Sequence, residues 1–210
     1  MTKRLSATLL TDGSSDQVMA RVIGWTLREF RVEADVSWAD LRVLPAAPQS
    51  LGERIDAALR LYPADILFVH RDAERESRAN RVGEIAAALG SIDLPRVCVV
   101  PVRMTEAWFM FDDAAIRYAA GNPAGTAALS LPSMDAIERL PDPKQALHDA
   151  LRVASGLSGR RLRKFDERKA FHTLATRLEA FEPLRRLSAF QEFEAETQAA
   201  LALIALRAGE

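Results

Sequence analysis

The stretch that decides the fold is Ile66-Leu67-Phe68-Val69-His70-Arg71-Asp72-Ala73-Glu74. Its first four residues are apolar and mostly β-prone, which is typical of a buried strand in a parallel sheet. Acids follow as soon as the strand ends. In an open α/β sheet, ligands bind in the crevice beyond the carboxyl ends of the strands. The stretch therefore predicts that Asp72 and Glu74 project where a metal ion or a phosphate would bind.

Two other predicted strands also end in acids. Residues 5–11 form an apolar run that leads into Asp12-Gly13-Ser14-Ser15-Asp16, and residues 97–102 lead into Arg103-Met104-Thr105-Glu106. If these strands are neighbours of the first, carboxylates from three separate segments converge on one small volume.

Apolar positions at helical spacing separate the strands. The pattern predicts strands at 5–11, 36–44, 66–69 and 97–102, helices at 14–30, 50–62, 75–89, 105–112 and 141–151, and two more helices between 167 and 206. Such alternation implies a mostly parallel, Rossmann-like α/β sheet flanked by helices and joined by right-handed crossovers. We expect an α/β core at residues 1–120 and a helical C-terminal extension at residues 121–210 packed on it.

Composition restricts the partners and the location. The formal net charge is −1, so no overall field draws the chain to nucleic acid or membrane, and any polyanion site must be local. The single cysteine, Cys98, excludes an intramolecular disulfide and a multi-cysteine zinc site. The apolar run before Asp12 is too short for a signal peptide or a membrane span. We therefore expect a cytoplasmic protein that does not enter a membrane.

The acids indicate a particular ion chemistry. Carboxylates without a histidine and cysteine partner set are hard oxygen ligands suited to Mg²⁺ or Mn²⁺. Acids crowded around one site repel each other, and a divalent cation or a proton relieves that cost. The candidate metal ligands are Asp12, Asp16, Asp72 and Glu74.

The order of these motifs resembles the TOPRIM fold (topoisomerase–primase), and within it a TOPRIM-like family of unknown function akin to the OLD-type nucleases. The resemblance covers most of the chain and is carried by residues 11–16, 70–74, 105–109 and 142–144 and by the pattern from Lys164 through Phe190 and Phe193. The most specific piece is the Glu-Ala-Trp sequence at 106–108.

The resemblance implies a Mg²⁺-dependent nuclease or nucleotidyl-transfer site and a role in phage defence. In that reading Asp72 and Glu74 hold the metal, and Asp12 is a general acid or base or a further ligand. The chain departs from the usual TOPRIM pattern in two places, with Asp12 in place of a glutamate and Glu74 in place of an aspartate.

We therefore expect Mg²⁺-dependent phosphodiester hydrolysis on nucleic acid or a nucleotide. Asp12 or Glu106 would move protons, and Lys144 or Lys164 would steady the developing phosphate charge. The basic cluster in the predicted loop 156–164 would contact nucleic acid only if it folds toward the acids.

Several alternatives remain open at this point. The acids could cap helices or face solvent in turns, and the lysines could lie on a solvated face. The chain could be a non-catalytic TOPRIM-like subunit that binds or regulates an ATPase or another partner, or a homodimer. A weaker alternative is a receiver-like module that accepts phosphate on Asp72.

Overall fold

A computed structural model describes residues 4–209, and its centre is a parallel sheet. The strands are β1 (Leu5–Leu10), β2 (Ala34–Trp38), β3 (Ile66–His70) and β4 (Arg96–Val99). Their order is β2-β1-β3-β4, and each adjacent pair is parallel. The predicted α/β class is therefore confirmed. The strands that end near Asp12, Asp72 and Glu106 are neighbours, which was the condition for their acids to converge.

Helices make up most of the remaining structure. The α-helices are α1 (Met19–Glu29), α2 (Leu51–Leu61), α3 (Arg78–Leu89), α4 (Asp113–Ala119), α5 (Met134–Ile137), α6 (Pro143–Ser155), α7 (Gly159–Leu162), α8 (Glu167–Arg177) and α9 (Ser188–Ala208). Short 3₁₀ helices span Ser14–Val18, Leu41–Val43, Thr105–Phe109 and Glu182–Arg186.

Both faces of the sheet are covered. Alternate side chains of a strand point to opposite faces, so Phe68 joins a core with α1 and the C-terminal helices, whereas Leu67 and Val69 join a second core with α2 and α3. All of β3 is consequently buried. This burial on two sides explains why the strand reads as a continuous apolar run.

The C-terminal helix is part of the first core. The Trp108 ring lies 5.2 Å from Phe190 and 5.7 Å from Phe193, and Phe193 lies 6.2 Å from Phe68 on β3. Trp108 is fully buried, so it is a packing residue. The division into domains at residue 120 stays a prediction.

Several boundaries differ from the sequence prediction. The strand predicted at 36–44 ends at Trp38, because the Asp40 carboxylate accepts the Arg42 N–H at 3.1 Å and turns the chain. The strand predicted at 97–102 ends at Val99, opposite the last residue of β3, where its pairing partner ends. The helix predicted from 75 begins at Arg78, where Ser77 caps it.

Two helical assignments also differ. The segment predicted as a helix at 105–112 is a buried 3₁₀ helix that ends at Phe109. The loop predicted at 156–164 contains the short helix α7.

A side chain of α9 accepts a hydrogen bond from the edge strand of the sheet. Glu196 accepts the backbone N–H of Cys98 on the edge strand β4 at 2.8 Å, and its other oxygen pairs with Arg78. An edge strand otherwise presents unpaired backbone groups to other chains. Burial, with the charge of Glu196, raises the pKa of the Cys98 thiol to about 12, so that thiol stays protonated.

Replacement of Glu196 by alanine should therefore lower the free energy of unfolding by about 1–3 kcal/mol, because a part-buried donor loses its acceptor. Denaturant unfolding measures the loss. The matched control is Glu192→Ala. The Glu192 carboxylate also forms an ion pair with Arg78 but is about half exposed. Its removal should therefore lower the free energy of unfolding by less than about 1 kcal/mol. Equal losses of stability in the two variants would contradict the role of Glu196 as the acceptor for the edge strand.

Candidate active site at the carboxyl ends of the strands

Three carboxylates from three segments come together beyond the sheet. Asp16 lies in the 3₁₀ helix after β1, Asp72 follows β3, and Glu106 lies in the 3₁₀ helix after β4. The charge of Asp72 acts on both of the other two, and Asp16 also acts on Glu106. We refer to Asp16, Asp72 and Glu106 as the acid cluster. Of the acids that the sequence analysis names at the strand ends, these three are the ones that the structure brings together; Asp12 and Glu74 are placed differently.

The position of Asp72 is fixed by its neighbours. Its Oδ1 accepts the Thr105 backbone N–H at 2.8 Å and the Thr105 hydroxyl at 3.2 Å. The same oxygen lies 3.4 Å from His70 Nε2, which is 2.9 Å from the Thr105 hydroxyl. The strand ends of β3 and β4 are thus tied together through this carboxylate.

Burial, and to a smaller extent the neighbouring acids, raises the pKa values of two members of the acid cluster. Burial raises the pKa of Asp16, and the charge of Asp72 adds to the effect, while His70 opposes it. Burial likewise raises the pKa of Glu106, and the positive charge of Lys144 opposes it. Both groups therefore hold a proton more tightly than an exposed carboxyl does.

His70 is enclosed beneath the acids. Burial disfavours its charged form, but the hydrogen bond to Asp72 and the charges of Asp72, Asp16 and Asp12 together raise the pKa of His70 above its usual value. Its Nδ1 is buried without a hydrogen-bond partner among the described residues. In the sequence, His70 stands directly before the acids, which is only a weak indication of a role.

Asp12 is not held in the way that the sequence predicts for a metal ligand or a proton carrier. Its Oδ1 lies 2.8 Å from Arg54 Nη1, and its Oδ2 lies 2.7 Å from Arg71 Nε. Both carboxylate oxygens are therefore occupied by arginines. Asp12 therefore connects the turn after β1 to α2 and to the end of β3. The carboxylate of this turn that lies with the other acids is Asp16.

Glu74, the other predicted metal ligand, is not brought to the acid cluster. Its backbone adopts a φ of +53°, in the left-handed region that few residues other than glycine occupy. Its N–H donates to the Arg103 carbonyl at 2.7 Å, and its largely exposed carboxylate lies 3.4 Å from Arg81. The left-handed turn directs Glu74 toward these arginines.

A cleft of about 650 Å³ opens beside the acid cluster. Glu106 lies in its wall together with Lys144 and His148 of α6 and Arg168 and His172 of α8. The Lys144 ammonium is 3.5 Å from Glu106 Oε1. The cleft therefore combines an acid with a reduced tendency to ionise and several groups that can carry positive charge.

Two of these cleft residues carried little signal in the sequence. His148 is four positions after Lys144 on α6, which is the spacing that places two side chains on one helix face and could have indicated the pair. Burial lowers the pKa of His148, so it is neutral near pH 7. No comparable spacing pointed to His172.

Lys164, the remaining predicted catalytic residue, is exposed after α7 and is not part of the cleft wall. Of the two predicted catalytic lysines, the structure brings only Lys144 into contact with the acid cluster. The reason is that α7 ends before Lys164, and the chain turns toward α8.

The donor set of the acid cluster fits a hard divalent cation in chemistry and charge. Within residues 4–209, no group of three or more acid, histidine or cysteine side chains is arranged to hold a metal ion. Mg²⁺ commonly binds through one or two carboxylates and completes its shell with water and substrate phosphate. Asp16 and Asp72 are the residues suited to that pair, since both also interact with Thr105.

Another cavity, of about 660 Å³, lies at the opposite, amino ends of β1 and β2. It is lined by Arg4, Arg21 and Arg28 together with Glu33 and apolar side chains. It is remote from the acid cluster, and Arg21 already donates to the Leu178 carbonyl at 3.2 Å. The strand-end cleft is therefore the candidate site.

Comparison with known protein families, with curated proteins and with solved structures finds no match to this chain. The fold and the site thus rest on the residues themselves. Within the described residues, no helix has both the length and the apolar character needed to cross a membrane.

Proposed function

We propose that this protein hydrolyses phosphodiester bonds in nucleic acid or a nucleotide, with Mg²⁺ or Mn²⁺ bound at the acid cluster, in the cytoplasm. The observation that carries the proposal is the convergence of Asp16, Asp72 and Glu106 from three strand ends beside Lys144. Such a placement costs free energy unless a cation or a proton neutralises it. The TOPRIM-like order of motifs supports the same chemistry.

Each residue has a distinct role in this proposal. Asp16 and Asp72 hold the cation, and Thr105 and His70 orient Asp72. The cation supplies Lewis-acid polarisation of a phosphate oxygen and activation of water. Glu106, whose pKa is raised by burial, exchanges a proton with the attacking water or the leaving oxygen.

Lys144 has two effects in the proposed site. Its charge opposes the rise in the pKa of Glu106. It also lies in the cleft wall, where an ammonium group can stabilise the developing charge on a phosphate.

A second function is favoured by the state of Asp12 and Glu74. Two of the four acids predicted as metal ligands are engaged by Arg54, Arg71 and Arg81. A scaffold of this kind could bind or regulate a partner such as an ATPase without cutting any substrate. Calorimetric titration distinguishes the two functions, because a non-catalytic scaffold should bind Mg²⁺ or Mn²⁺ no more tightly than millimolar.

The proposed activity can be tested with three substrates: labelled DNA, labelled RNA and bis-p-nitrophenyl phosphate. We expect cleavage of at least one of them in Mg²⁺ or Mn²⁺ and none in EDTA. Absence of turnover on all three in both cations, or turnover that EDTA leaves unchanged, would contradict the proposal.

A further inference from the structure

Four basic residues lie on the short helix α7 and the turn that follows it, between α6 and α8. They are Arg160, Arg161, Arg163 and Lys164, and all four side chains are exposed. We refer to them as the basic turn. Four like charges within five positions repel one another, and their repulsion is relieved by a polyanion.

The side chains of the basic turn have no internal partners in the part of the chain that the structure describes. Within residues 4–209 none of its four side chains makes an ion pair or a hydrogen bond. Other exposed arginines without an ion pair in that range, such as Arg60 and Arg96, stand singly in the sequence, whereas the basic turn holds four such charges together. The basic turn is therefore a concentration of positive charge that no acid of the described residues neutralises by an ion pair.

The nearest acids along the chain are engaged elsewhere. The Asp166 carboxylate accepts the Lys169 backbone N–H at 2.9 Å as the cap of α8. Glu167 pairs with Arg152 of α6. Neither acid offsets the charge of the basic turn, although both are two to seven positions away from it in sequence.

The basic turn adjoins the cleft. Asp166, Glu167 and Arg168 all lie in the cleft wall that also contains Glu106. Lys164 precedes Asp166 by two positions, so their Cα atoms are at most about 7 Å apart. A chain of phosphates that lies on the basic turn can thus continue into the cleft.

We propose that the basic turn binds the sugar–phosphate backbone of a nucleic-acid strand whose neighbouring phosphodiester lies at the acid cluster. This inference rests on the proposed function and defines its substrate as a polymer rather than a free nucleotide. Phosphate contacts of this kind position the strand without reading its sequence. An anionic membrane fits less well, because the only apolar side chain within the turn is Leu162, which is half-buried and cannot insert.

The test measures binding in EDTA, so that it does not depend on cleavage. Fluorescence anisotropy with labelled single-stranded DNA, duplex DNA and RNA compares the wild type with Arg160→Gln/Arg161→Gln. Each lost phosphate contact should reduce the salt-dependence slope by about 1. For duplex DNA, we expect the slope of log affinity against log salt concentration to be smaller by about 2 in the double variant. Its affinity at 0.1 M salt should be roughly tenfold or more below that of the wild type.

The matched control is Arg60→Gln/Arg96→Gln, which removes the same charge from exposed arginines outside the cleft. It should bind as the wild type does. A second variant, Arg163→Gln/Lys164→Gln, should reproduce the loss if the first variant does not fold.

Three results would overturn the inference: basic-turn variants that bind nucleic acid as the wild type does, a control that loses as much affinity, or binding to phosphatidylserine vesicles but not to nucleic acid. Failure of the proposed function is separate from these results, because it appears as absence of wild-type turnover on all three substrates. Turn-dependent binding in EDTA would still support the binding surface in that case.

Discussion

Replacement of Asp72 by asparagine is expected to reduce cation-dependent phosphodiester cleavage by about 10²- to 10³-fold, because the site loses one negative ligand of the cation. The fold should survive, since the asparagine oxygen can still accept the Thr105 N–H that Asp72 Oδ1 accepts at 2.8 Å. Initial rates in Mg²⁺ measure the loss, and thermal unfolding checks the fold. Retained turnover in a folded Asp72→Asn protein would remove the catalytic assignment.

The matched control for this prediction is Glu74→Gln. The sequence predicts Glu74 as a metal ligand together with Asp72, but the Glu74 carboxylate lies near Arg81 instead. We expect its rate to change by less than about threefold, which corresponds to less than 1 kcal/mol in the activation barrier. A loss as large as that of Asp72→Asn would show that the cation is bound at Glu74.

Replacement of Asp16 by asparagine is expected to stabilise the cation-free protein at neutral pH. Because the pKa of Asp16 is raised in the fold, the folded state binds its proton more tightly than the unfolded state does. The stability from this group is therefore complete below the pKa of the unfolded chain and is lost as pH rises through the folded pKa. Asparagine does not ionise and so avoids this loss of stability. The gain in the free energy of unfolding of Asp16→Asn over the wild type should be largest at pH 7–8 and should shrink as pH falls toward the ordinary carboxyl range.

Added cation should make the wild type more stable than Asp16→Asn. At about 100 times the dissociation constant, Mg²⁺ stabilises the state that binds it by about 2.7 kcal/mol. For a chain of this size that is a rise of roughly 5–10 °C in Tm. The wild type should show this rise and Asp16→Asn should show little of it in thermal melts with EDTA or Mg²⁺.

Asp56→Asn is the matched control for the melts, because Asp56 is an exposed acid on α2. It should respond to Mg²⁺ as the wild type does. An equal rise in Asp16→Asn, or an apo stability that falls on this substitution at pH 7–8, would contradict the role of Asp16.

The sheet could be predicted well because its signals are local. The apolar run at 66–69 predicts β3, and the helical pattern at 75–89 predicts the end of α3, where Gly90 has a φ of +54°. The position of the acid cluster followed from strand order, since the carboxyl ends of parallel neighbours share one edge. The strands and helices depend on residues close together in the sequence, whereas the order of the strands was a condition that the structure meets.

The sequence names all three acids of the cluster among its candidates, but it could not exclude Asp12 and Glu74, because their positions depend on long-range contacts and on the local backbone. Asp12 is taken up by Arg54, which lies 42 positions later in the chain. Glu74 is turned away by a left-handed backbone that its residue type does not favour. The cleft residues from α6 and α8 depend on how the C-terminal helices pack, which no local pattern specifies.

The most direct test of a cation site at the strand ends is a crystal soaked in Mn²⁺ and measured for anomalous scattering. The proposal predicts a peak within coordination distance of both the Asp16 and the Asp72 carboxylates, with Glu106 beside it. Anomalous density at Glu74 or elsewhere, or none in a crystal whose acid cluster is accessible to solvent, would contradict it.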